Sequence, residues 1–222
     1  MWRDAGVVVG KDLRIELRSR VAANQVAPFA ILVLILFAFA LDPDRGFLDR
    51  VSPGLFWLAV VLSALLAVQR SFAIEGTDGG RDGLRLSGLD PAGIFLGKAG
   101  AIALQLLALE VLLAAGAVVL YGTELGGLAL LVPTCLAATA GLASAGTVYG
   151  VLSAGLRVKE TLLPLLVIPV VAPVLLAATR ASEAALAGAP GEGWPWVRLL
   201  AVFAVVYVAA GVLAFGPLLE DA

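Results

Sequence analysis

The sequence predicts an all-α membrane protein with six transmembrane helices, and two observations carry that reading. Long apolar stretches fill most of the 222 residues, and the charges are confined to the gaps between them. The chain is 61% hydrophobic and only 14% charged, with a mean hydropathy of +1.01. A stretch of about 20 apolar residues crosses the roughly 30 Å hydrocarbon core as a helix. A soluble domain of this size could not cover so much apolar surface with so few polar residues. One polytopic domain over 1–222 is the expected organisation.

The N-terminal segment, 1–21, reads as an amphipathic interfacial helix. Val9, Leu13 and Leu17 share one face, and Lys11, Arg14 and Arg18 lie on the opposite one. Such a helix suits the membrane surface, as an anchor on anionic lipid, as a contact for a cytoplasmic partner, or as both. The first span is expected at 22–41, with Asn24, Gln25 and Pro28 in its opening turns. Ala38-Phe39-Ala40 has the form of a signal-peptidase site. The segment before it is long and carries Asp4, Asp12 and Glu16, unlike a compact basic leader, so the stretch reads as a retained span.

The second span, 51–68, opens with Pro53-Gly54, and Pro suits a helix start because its missing N–H would be unpaired there. Trp57 then falls where an interfacial belt residue is expected. The gap 69–90 is rich in charge and glycine and reads as a loop with at most a short helix around 81–86. The third span is expected at 92–121, the fourth at 125–156 and the fifth at 162–179. A polar gap containing Trp194-Pro195-Trp196 precedes the last span at 199–219.

Charge orients the chain. Arg3, Lys11, Arg14, Arg18 and Arg20 precede the first span, Arg70, Arg81, Arg85 and Lys98 cluster around the 69–98 region, and Arg157 and Lys159 follow the fourth. The opposite side holds only Arg45, Arg50, Arg180 and Arg198. The positive-inside rule therefore predicts both termini in the cytoplasm, with the connection after span two as the main cytoplasmic loop.

Several chemistries are excluded. Histidine is absent, which removes a Ser–His protease and the commonest metal and haem ligand together. Cys135 is the only cysteine, so no disulfide forms within the chain. No phosphate-binding glycine motif occurs. Glu110 is the one acidic residue deep in a span, so no di-acidic metal site is expected. It is either a hydrogen-bonded packing residue or a translocation or gating residue, with Gln105 and Lys98 as polar neighbours on the same span.

Small residues repeat at every fourth position as Gly93, Gly97 and Ala101, and again as Gly146, Gly150 and Ala154. They suit close packing within the chain or between subunits. Pro164, Pro169 and Pro173 remove backbone hydrogen bonds from span five and favour kinks, either for packing or for flexing.

Together these residues resemble one family. Pro53-Gly54-Leu55-Phe56-Trp57, Arg70-Ser71-Phe72, Asp78-Gly79 with Leu84 and Leu86, Pro91, and Gly97-Lys98-Ala99 resemble the CcmB family, the haem exporter membrane subunit of cytochrome c maturation. Gly155-Leu156-Arg157, Leu165-Leu166-Val167-Ile168-Pro169 and Pro173 fit the same family, so the resemblance covers nearly the whole chain. It implies an ABC-2-type permease half in the bacterial inner membrane, present twice. It implies pairing with a cytoplasmic ATPase, CcmA, and association with CcmC, CcmD and the haem chaperone CcmE. ATP would bind the ATPase subunit. Haem would be cargo of the complex rather than a ligand of this histidine-free chain, which favours mechanical coupling over direct haem carriage. The expected coupling loop carries Arg70, Glu75, Asp78, Gly79, Arg81 and Leu84. A permease for a lipid or drug, and a non-transporting scaffold, are the competing readings.

Overall fold

The computed structural model describes residues 1–20, 22–41, 45–75, 88–154 and 159–221. Among them every regular element is helical: α1 (Trp2–Ser19), a π-type turn (Ala22–Val26) leading into α2 (Ala27–Ala40), α3 (Arg45–Glu75), α4 (Pro91–Tyr121), α5 (Leu128–Ala154), α6 (Lys159–Leu186) and α7 (Pro190–Asp221). Five of these helices are long and apolar enough to cross a membrane. A sixth span appears if α1 and α2 are counted as one broken unit.

That break is sharp. The helices on either side of it meet at 57°. Arg20 closes α1 in the left-handed conformation, φ 52°, a region that a residue with a Cβ enters only at a cost. The α1 axis therefore leaves the direction of α2, and α5 packs against α3, α4, α6 and α7 in the bundle. Helices α3 to α7 pack against one another, while α2 leans on α3 and α4. Trp57, Phe95, Leu106, Leu113 and Phe215 form the fully enclosed centre.

The two ends of the bundle are built differently. The α1 end gathers the start of α4 and the end of α7, where Gly216 lies near Pro91. At the far end Thr123 donates to Ser52, 2.9 Å, tying the α4–α5 connection to the start of α3. Gly127, at φ 65°, lies against the Ala185 carbonyl, closer than a side chain there would permit.

Several boundaries depart from the sequence reading for local reasons. Helix α3 begins at Arg45, so Pro53 lies inside the helix rather than opening it. Trp57 is 0% exposed and donates to the Ser182 hydroxyl, 2.9 Å, so it is a buried pin between α3 and α6 and not a belt residue. Helix α5 starts at Leu128, after Gly127, and not at 125. The expected polar gap beyond 179 is mostly helix. Ala-rich 181–186 continues α6, helped by the Arg180–Glu183 pair at 2.9 Å, and only 187–189 separate α6 from α7. Trp194-Pro195-Trp196 accordingly sits in the first turns of α7. The short helix expected around 81–86 lies outside the described residues.

Candidate functional site

At the α1 end, sequence and structure build a docked helix. Asp90 caps α4 by accepting from the Ala92 N–H, 3.2 Å. Its own N–H donates to Asp4 of α1, 3.3 Å. Further along, Gly93 and Gly97 let α1 approach the α4 backbone. A Cβ on Gly97 would lie 2.5 Å from Val8 Cβ and 2.9 Å from the Ala5 carbonyl oxygen. The small-residue stripe of α4 thus serves packing within the chain.

Lys98 completes the dock. It is 1% exposed, its Nζ lies 3.6 Å from Asp12 Oδ2, and it sits 4.9 Å over the Phe72 ring. Asp12 also pairs with Lys11 at 2.9 Å. Lys98 is therefore a docking cation for α1 rather than a neighbour of Glu110. The two lie twelve residues apart on α4, about 18 Å along the axis. Gln105 is half-buried between them. Ala5, Val8 and Asp12 form the face turned to α4. The expected apolar face is only partly used, since Leu17 stays 77% exposed, as does Trp2. Lys11, Arg14 and Arg18 line a groove beside Gly6 and Gly10.

Of the expected coupling loop, Arg70 lies half-buried near the end of α3, and Glu75 is the last residue of that helix. Asp78, Gly79, Arg81 and Leu84 lie outside the described residues. The second small-residue stripe takes up neighbours closely: Gly146 meets Val68, Gly150 meets Phe72, and Gly141 meets Phe203. Pro164, Pro169 and Pro173 all lie within α6, which runs unbroken across them, with Pro169 and Pro173 on its exposed side.

In the other half of α4, Glu110 is 4% exposed. Thr139 of α5 donates its hydroxyl to Oε1, and the Cys135 thiol lies against the same carboxyl. Oε2 is enclosed without a hydrogen-bond partner among the described residues. Glu110 and Cys135 both line a cavity of about 350 Å³ bounded by α3, α4, α5 and α6. Nothing in the sequence announced this cavity, because its walls are contributed by residues from Ser52 to Leu186.

The arrangement is that of a helical membrane subunit with a clamped cytoplasmic-type helix and an acid-bearing cavity in the opposite half. A family model described as CcmB protein matches residues 4–220. The chain belongs to the CcmB family. It is 32% identical over 207 residues to Heme exporter protein B of Haemophilus influenzae, covering 93% of this chain and 91% of that one. It is 30% identical to Heme exporter protein B of Bradyrhizobium diazoefficiens, covering 90% of each, and 31% identical to that of Pseudomonas aeruginosa, covering 86% of each. The long apolar helices and the CcmB membership make this a multi-pass protein of the bacterial inner membrane.

Proposed function

We propose that this chain is the membrane subunit of a haem-export complex, driven by ATP hydrolysis on a separate cytoplasmic subunit, CcmA, and acting with CcmC, CcmD and the haem chaperone CcmE. The single observation that carries the reading is similarity along nearly the full chain to proteins named Heme exporter protein B. The chain acts as the mechanical partner and is not itself the enzyme. Two copies meet one ATPase dimer. Haem is cargo of the complex, and ATP stays on the partner.

In this reading ATP-driven closure is received at the α1 end. The segment from Arg70 to Leu86, which begins as the last turns of α3, seats in a cleft of the ATPase, with Glu75 and Asp78 facing basic residues there. Helix α1 steadies the seat. The support is that α1 is fixed to α4 by ion pairing and close packing, so a push on either helix reaches the other. The three prolines of α6 leave backbone carbonyls unpaired where a span would flex.

Affinity purification in mild detergent tests the assignment. The expected result is co-purification of the ATPase subunit and a haem absorption band that depends on the assembled partners. Isolation with an ATPase but no haem subunits would favour a permease for another cargo. Function that survives an ATPase-dead partner would favour a scaffold. Glu75→Lys with Asp78→Lys is expected to abolish stimulation of the ATPase in the reconstituted complex. Unchanged assembly and unchanged coupling would remove the loop from the mechanism.

A further inference from the structure

We propose that the cavity beside Glu110 is a binding site for a membrane-dissolved apolar molecule bearing one hydrogen-bond donor, and that the free oxygen of Glu110 anchors that donor. The inference depends on the membrane placement of the bundle and not on haem export.

Four observations converge on it. The carboxyl is almost fully enclosed, and Thr139 satisfies one oxygen while the other has no partner among the described residues. Buried polar oxygens in folded proteins are nearly always paired, and a group left unpaired points to a partner that is absent. The cavity that Glu110 lines holds about 350 Å³, whereas one water occupies roughly 30 Å³ of liquid, so far more than a single solvent molecule fits. The walls are apolar, with Phe56, Leu107 and Leu131 among them.

The entrance fixes the source of the ligand. Val111, Val132 and Leu136 line the cavity and are also exposed on the outer surface of α4 and α5. A molecule entering there comes from the hydrocarbon, not from water. Competition from the rim is low, because the hydroxyls of Ser52 and Thr123 bond each other and Ser182 is held by Trp57. A long-chain amine or alcohol fits these constraints: its tail fills the apolar space, and its N–H or O–H donates to Glu110. Thr139 positions the acid, since its hydrogen bond occupies Oε1 and leaves Oε2 as the oxygen for a ligand.

The full chain in nanodiscs tests this with two photoreactive probes that differ only in their heads, a diazirine-bearing dodecylamine and the dodecyl methyl ether with the same diazirine tail. The amine is expected to label residues 107–114 and 131–136 about tenfold more strongly than the ether, the preference that one hydrogen bond confers. Excess unlabelled dodecylamine is expected to abolish that labelling. Glu110→Leu is expected to bring the two probes level, and the comparison between probes in the unaltered chain holds even if that variant does not fold. Equal labelling by both probes would reduce the cavity to an unselective apolar hollow. Labelling spread evenly over the lipid-facing surface would mean that the free oxygen serves water alone. Either result overturns the proposal.

Discussion

The ammonium of Lys98 lies 3.6 Å from the Asp12 carboxylate, and the lysine is buried to 1% exposure at the junction of α4 and α1. Removing one partner of a buried pair takes away part of what offsets the burial of the other charge. Asp12→Ala should therefore destabilise the protein by about 3 kcal/mol. Lys98→Met should cost less, because Asp12 keeps Lys11 at 2.9 Å. The double variant should recover most of the loss. Thermal denaturation of the three variants in detergent checks the order, and an Asp12→Ala protein as stable as Lys98→Met would contradict it.

Gly97 is the second fastening of α1. A side chain there meets Val8 and, at 2.9 Å, the backbone carbonyl of Ala5, which cannot rotate away. Overpacking of this kind costs about 1–3 kcal/mol, close to tenfold in a local opening equilibrium. Gly97→Ala is expected to speed tryptic cleavage at Lys11, Arg14 and Arg18 by about tenfold while cleavage elsewhere is unchanged. Cleavage at the parental rate would mean that α1 is held by other contacts.

The grip of α1 on α4 should also depend on acidity. Hydrogen bonding from the Asp90 N–H, with help from the chain's terminal amine, holds the Asp4 carboxyl below its usual 3.8. A depressed carboxyl contributes stability that is complete above its ordinary range and is lost as pH falls through the lowered value. Protection of residues 2–19, taken as exchange relative to the intrinsic amide rate at each pH, should thus be flat at neutral pH and fall only below the usual carboxylate range. Asp4→Asn should remove that acid-dependent step, and protection that still falls with the same profile would assign it to another group.

Thr139 and Glu110 form one unit across α4 and α5. Thr139→Val leaves Oε1 buried and unpaired, a loss of about 1–3 kcal/mol. Pairing it with Glu110→Leu removes both polar partners and should restore much of the stability. Resistance to SDS unfolding measures both variants. A double variant weaker than Thr139→Val would show that the acid has further partners.

The long apolar helices were legible because apolar length is a local property of the chain, whereas the first expected span, 22–41, reaches spanning length only if α1 and α2 are counted as one unit. Helix α4 begins at Pro91, as the sequence reading placed it, because the Asp90 cap and Pro91 are adjacent in sequence. The end of α6 was misjudged because hydropathy drops after Thr179 while Ala-rich 181–186 retains helix propensity. Trp57 was misplaced for a different reason. Its partner, Ser182, is 125 residues away, and belt statistics know nothing of such a contact. Lys98 and Asp12 are likewise joined only by the fold. The acid at Glu110 was visible in the sequence, but the hollow it faces was not, since no single segment encloses it.

The four tryptophans are divided by the architecture. Trp2 stands out from α1 at 77% exposed, whereas Trp57, Trp194 and Trp196 belong to the opposite half of the bundle. Indole emission from this molecule is consequently two signals in one spectrum. A quencher confined to one leaflet would reach Trp2 from the basic side or Trp194 from the other, while the enclosed Trp57 keeps emitting in both cases, so the sidedness of a reconstituted vesicle can be read from a steady-state trace.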